Sequence, residues 1–147
     1  MTTIKVKILE AGDGGLLNRV VPDVLDGPVD AKWAKEFLRD SRHHLAVAID
    51  GEKIVGAASA VHYVHPDKAP ELWVNEVGVA PAYRGQRIAR QMLEVLFKLA
   101  VSLGCSEAWV LTERQNEVAH RLYSSVGGRR SEDPVMYTFS LDGAPWR

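Results

Sequence analysis

The stretch Val77-Gly78-Val79-Ala80-Pro81-Ala82-Tyr83-Arg84-Gly85-Gln86-Arg87-Ile88-Ala89 carries the most legible chemistry in the sequence. A strand stops at Pro81, a turn of small and basic residues follows, and a long amphipathic helix begins. The first amides of a helix lack intrahelical partners and lie at the positive end of its dipole. A glycine in such a turn lets backbone approach phosphate oxygens, so the segment suits an anion. Arg84, Arg87 and Arg90, with no acid among them, favour a polyanionic ligand locally. The same pattern would also serve a plain strand-turn-helix connection with a solvated basic cap. Upstream, Glu76 in Trp73-Val74-Asn75-Glu76-Val77 is a carboxylate on the strand that feeds the turn. Within hydrogen-bond reach of an ammonium it can act as a base; on the strand's wet face it would only meet solvent.

The elements that must position these groups follow from periodicity. Ile4 to Ile8 alternates apolar and polar residues, as a half-buried strand does. Leu16, Leu17, Val20, Val21 and Val24 recur at helical spacing, and Asp30 is placed to cap a second helix with Trp33, Phe37 and Leu38 on its apolar face. Leu45–Ile49 and Ile54–Ala58 flank Asp50-Gly51, a hairpin signal in which both turn positions need positive φ. A proline-containing loop leads to a strand from Glu71 to Ala80. Ile88, Met92, Leu93, Leu96, Leu99, Ala100 and Leu103 mark a long helix stopped by Gly104. Glu107 to Thr112 reads as a strand, Ala119, Leu122 and Val126 as a last helix, and Val135 to Leu141 as a final strand. The order β-α-α-β-β-β-α-β-α-β implies a mixed sheet with helices packed on it. The fold class is therefore α/β of the α+β type, in one domain over residues 1–147.

Tyr83-Arg84-Gly85-Gln86-Arg87-Ile88-Ala89 resembles the acyl-CoA loop of the GNAT superfamily of N-acetyltransferases, Arg/Gln-x-x-Gly-x-Gly/Ala. Asn116-x-x-Ala119-x-x-Leu122-Tyr123-x-x-x-Gly127 resembles that superfamily's second cofactor motif. The two lie in the right order, and the resemblance covers nearly the whole chain. It implies acetyl-CoA as co-substrate and no metal. Arg84, Gly85, Gln86, Arg87, Ile88 and Ala89 would cradle its diphosphate, and the backbone of Val77, Gly78 and Val79 would pair with its pantetheine arm. Asn116 would bond that arm or cap a helix. Glu76 would be the base, and Tyr123 either the acid at the departing sulfur or a core tyrosine. Arg87 departs from the pattern, because it stands where the family has its central glycine.

Composition bounds the rest. An apolar fraction of 46% with 25% charged residues describes an ordinary globular chain and excludes disordered or collagen-like classes. Eighteen basic and nineteen acidic residues give a net charge of -1, which supplies no global pull towards nucleic acid or an anionic membrane. A single cysteine, Cys105, excludes an internal disulfide and a thiolate zinc cluster. The apolar runs are too short to span a bilayer and Met1 to Glu10 has no signal-type core, so the expected location is cytoplasmic.

Asp26-Gly27-Pro28-Val29-Asp30, His62-Tyr63-Val64-His65-Pro66-Asp67-Lys68-x-Pro70-Glu71-Leu72 and Val135-Met136-Tyr137-Thr138-Phe139 narrow the resemblance to the aminoglycoside 3-N-acetyltransferases of type I. A polycationic sugar needs anionic walls. Asp26, Asp30, Glu71, Glu76, Glu132 and Asp133 are the candidate carboxylates, with His62 and Tyr63 as further pocket residues. Between residues 21 and 40 five acids stand against three bases. Singly, each acid also suits a solvated helix. Other small amines, a protein N-terminus, or a non-catalytic acyl-CoA sensor remain alternatives. Many members of the superfamily form homodimers, a state this sequence does not itself specify.

Overall fold

The computed structural model describes residues 3–147. Five strands form one sheet in the order β1-β2-β3-β4-β5: Lys5–Ile8, His43–Asp50, Lys53–Tyr63, Glu71–Val79 and Glu107–Val110. Neighbours run antiparallel except β4 and β5, which are parallel. A parallel pair needs a crossover, and α1 to α3 are Ala31–Arg39, Ile88–Ser102 and Glu117–Ser125, of which α2 makes that crossover. It packs on β1 to β4 from one face, while α1 and the 3-10 segment Ala11–Arg19 lie over β2 and β3 on the other. With both faces covered, β2 and β3 are buried almost continuously from His44 to Ala48 and from Ile54 to Ala58.

Four expectations change. Leu16 to Val24 does not form an α-helix: the chain winds as a 3-10 segment over Ala11–Arg19, then Val20 bridges to Ile54. Three glycines among its first five residues weaken the α-helical choice. In the β2–β3 turn only Gly51 has positive φ, at 60°, whereas Asp50 keeps the ordinary sign as the last residue of β2, paired with Lys53. The final strand, Val135 to Leu141, is absent. That segment is irregular, and Val135, Met136, Tyr137, Phe139 and Leu141 are exposed. Alternation makes a strand only where a neighbouring backbone takes up its N–H and C=O groups, and none does so among the described residues. Trp33 also differs, being 70% exposed instead of buried on the inner side of α1.

One irregularity in β4 sets the direction of Glu76. Ser59 pairs with Glu76 and Ala60 with Val74, so Asn75 is an extra residue with no counterpart on β3. Before it, Leu72 and Val74 share the face of His62 and Ala60; beyond it, Val77 and Val79 share the face of Ala58 and Gly56. That face belongs to α2, since a Cβ at Gly56 would touch Ile88 and Met92. Strict alternation from Val74 would have aimed Glu76 at α2 as well. The bulge turns it to the opposite face.

Under α2, His44 is buried and its Nε2 lies 2.7 Å from His62 Nδ1, so a single proton serves the contact. Burial, then the charges of His62 and His43, push the His44 imidazole down to about 4. The unfolded chain therefore binds more protons, and this contribution is complete above pH 6.5 and lost as pH falls towards 4. Stability should drop by roughly 3 kcal/mol over that interval. Denaturation midpoints at pH 7 and pH 4.5 measure it, and a His44→Phe variant should flatten that part of the profile.

Candidate active site

Glu76 faces a cleft of about 450 Å³ between β4 and the segment that runs into α1. Its Oε1 accepts the Asp26 backbone N–H at 2.7 Å, which fixes the carboxylate relative to that segment. Ser59, opposite Glu76 in register, lines the same cleft. Asp26 and Asp30 lie at its rim, where Asp30 also caps α1 by accepting the Trp33 N–H at 3.0 Å. The remaining wall is mainly apolar, from Leu25, Val29, Phe37, Leu45 and the exposed Trp33. A carboxylate held by a backbone donor in a mostly apolar cleft is built to receive a cation or its proton.

Past the bulge, β4 loses its outer neighbour. Pairing with β5 covers Glu71 to Val74 and ends at Val74–Val110. Val77, Gly78 and Val79 thus pair with β3 on one edge and leave β5 on the other, which opens backbone groups to an amide-bearing arm. Arg84 reaches back across this gap, and its Nε donates to the Val79 carbonyl at 3.1 Å.

The loop after β4 is held by backbone bonds from Tyr83 N–H to Ala80 C=O and from Arg84 N–H to Pro81 C=O, and by one side-chain bond to the hairpin. Tyr83 donates to Asp50 Oδ2, anchoring the short 3-10 turn Pro81–Tyr83 to the β2–β3 hairpin. Gly85 has φ 80° and a Cβ there would meet nothing, so the glycine answers a conformational demand and not a spatial one. Arg87 caps α2 at φ 63°, ψ 20°, and supplies no side-chain bond to it. The first helical bond runs from Gln91 N–H to Arg87 C=O, so the amides of Ile88, Ala89 and Arg90 have no partner within the helix. No acid lies in the first turn, while Arg84, Gln86 and Arg87 are exposed. These unpaired donors and guanidinium groups fit a diphosphate.

Left-handed backbone costs a non-glycine residue about 1 kcal/mol or more. Arg87→Gly should therefore stabilise the chain by about 1 kcal/mol, read as a rise of a few degrees in Tm. A lower Tm would mean that contacts of the arginine side chain outweigh the backbone preference.

Asn116 is the N-cap of α3, with Oδ1 accepting the Ala119 N–H at 3.1 Å. Tyr123, on the same helix, is half-buried, and burial raises its phenol above the ordinary value of 10, so the hydroxyl stays protonated. Tyr63 and Glu71 share the Glu76 face of the sheet, where Tyr63 donates to Glu71 Oε1 at 3.4 Å. His62 is a correction: it faces α2 with His44, and the sheet separates it from the cleft. Glu132 and Asp133 are a second correction. Both are exposed in the irregular C-terminal segment outside the cleft lining, and Glu132 pairs with Arg114 and Arg130. The final strand expected after these acids does not form among the described residues. Ser59 gives no signal in the sequence, because only strand register pairs it with Glu76. The helical spacing of Trp33 points to the core, and the side chain instead walls the cleft.

Comparison with known proteins bears on this arrangement. A family model described as "Acetyltransferase (GNAT) family" matches residues 17–127. The N-alpha-acetyltransferase 30 of Schizosaccharomyces pombe (strain 972 / ATCC 24843) is 27% identical over 97 residues, which span 66% of this chain and 63% of the yeast protein. An aminoglycoside acetyltransferase, meta-AAC0020 from an uncultured soil metagenomic sample, solved in complex with sisomicin, superposes with a TM-score of 0.83. It is 16% identical, with 94% of this chain and 96% of that one covered. AAC(6')-Iy in complex with the bisubstrate analog CoA-S-monomethyl-acetylneamine superposes at 0.78 with 17% identity, covering 94% and 99%. At such identities the likeness is one of fold.

Proposed function

Because the chain belongs to the acetyltransferase (GNAT) family, we propose that it moves an acetyl group from acetyl-CoA to a primary amine held beside Glu76, and that the amine is carried by an aminoglycoside. The observation that carries the reading is the Asn75 bulge. It sets a backbone-anchored carboxylate in the cleft, next to the divergence of β4 from β5 and one turn of chain before the α2 amides.

When bound, acetyl-CoA supplies the activated acetyl thioester. The amides of Ile88, Ala89 and Arg90 with the Arg84 and Arg87 side chains would hold the diphosphate, and the edge of Val77 to Val79 that β5 leaves would align the amide arm, with Arg84 moving off the Val79 carbonyl. An alkylammonium with a pKa of roughly 8 to 10 enters mostly charged. Glu76, fixed through Oε1, takes its proton at the other oxygen. The neutral amine would add to the thioester carbonyl and the C–S bond would break, with the Tyr123 hydroxyl giving its proton to the departing sulfur and the second nitrogen proton restoring the phenol. Asp26 and Asp30 at the rim attract further ammonium groups, and the sequence resemblance to the type I enzymes designates the 3-amine as acceptor.

The apolar cleft wall and the yeast N-alpha-acetyltransferase favour a second reading, a peptide N-terminus with an apolar first side chain. Thiol release from acetyl-CoA with kanamycin, gentamicin, spermidine and such a peptide separates the two. The proposal expects turnover with the aminoglycosides, and turnover of the peptide alone would replace it by the second reading.

A further inference from the structure

We infer that the acceptor surface continues past Glu76 along β4: Trp73 and Trp109 form a platform for a second ring of the acceptor, and Glu71 receives a second ammonium beyond it. The inference rests on the amine-transfer reading above. Register places Ser59–Glu76, Val61–Trp73 and Tyr63–Glu71 as successive pairs on one sheet face, and β5 adds Trp109 beside Trp73. The two indoles stack with centroids 5.2 Å apart and planes 9° from parallel. Both are half-buried, and the helical segments on this face pack on β2 and β3, so the rings lie beside the cleft, on the same face of the sheet as Glu76.

The far end of this surface is a fixed anion. Trp109 Nε1–H donates to the Tyr63 hydroxyl at 2.6 Å, Tyr63 donates to Glu71 Oε1, and His65 Nε2 lies 3.0 Å from Glu71 Oε2. From the Ser59 pair to the Tyr63 pair the strand advances four residues, about 13 Å. A one-ring amine at Glu76 cannot bridge that distance. A multi-ring amino sugar can, laying the C–H face of one ring on the indoles with ammonium groups at either end. The apolar cleft at Glu76 then receives the reacting amine, while charge recognition lies along the sheet.

The test compares kcat/KM for kanamycin with that for 2-deoxystreptamine, a one-ring amine, so a general loss of activity cancels in the ratio. The wild-type ratio should exceed one. Trp109→Leu should lower it about tenfold, mainly through KM for kanamycin. Glu71→Gln should lower it about fivefold, and Trp109→Phe should keep most of it. An unchanged ratio in both Trp109→Leu and Glu71→Gln overturns the platform while leaving amine transfer intact; if Trp109→Leu does not fold, Glu71→Gln decides alone. A wild-type preference for spermidine over kanamycin also overturns it. Failure of the wild type with every amine overturns the parent reading and this inference together.

Discussion

At pH 7, Glu76→Gln should turn over its acceptor roughly a hundredfold more slowly than the wild type. The substituted amide keeps an oxygen for the Asp26 N–H, now 2.7 Å from Oε1, so the cleft should keep its shape and Tm should change little. What is lost is a site for the proton. The defect therefore depends on the acceptor's charge: it is largest well below the amine pKa, where the neutral form is scarce. It shrinks as pH rises towards 9 or 10, where the amine arrives deprotonated. Initial rates between pH 6 and 10 report this. A defect of the same size at every pH would assign Glu76 to binding, and no defect at pH 7 would remove it from the reaction.

Gly78→Ala should be the most damaging small substitution in the chain. A Cβ at Gly78 would overlap the Val24 carbonyl oxygen and lie 2.9 Å from its carbon. Backbone on both sides cannot turn away as a side chain can, so β4 or the segment before α1 must shift. Overpacking of this kind costs roughly 3 kcal/mol, a fall of about 5–10 °C in Tm at this size. Because that segment carries Asp26, the bond to Glu76 should be disturbed too. Gly56→Ala is the milder comparison: its neighbours are side-chain atoms, Ile88 Cγ2 at 3.1 Å, Met92 Cε at 3.2 Å and Ala48 Cβ at 3.3 Å, which need to give only a few tenths of an ångström and do not overlap as backbone does at Gly78. An unchanged Tm for Gly78→Ala would show that the segment is not seated against β4.

Local patterns disclosed much of this molecule. Periodicity located α2 with its stop at Gly104, and the Asp30 and Asn116 caps follow from side chains that bond amides three residues on. The turn before α2 was legible for the same reason, since helix-start amides are left over whatever the tertiary setting. Other features depend on groups far apart in the chain. His62 and Tyr63 are adjacent in sequence yet lie on opposite faces, and only pairing with Leu72 and Glu71 shows which one shares the face of Glu76. Val135 to Leu141 has a strand's alternation and no strand, because no partner edge meets it among the described residues.

The sequence by itself determined the residues proposed for the site and their order, and a helix start with unpaired amides, because a helix end depends on contacts within a few residues. The tertiary structure alone decided where Glu76 points. Counting by twos from the buried Leu72 and Val74 assigns it to the α2 face. The extra residue at Asn75, visible only in pairing with Ser59 and Ala60, delivers it to the cleft. Side-chain direction in a sheet is set by register against a neighbour, and register is a property of two strands at once.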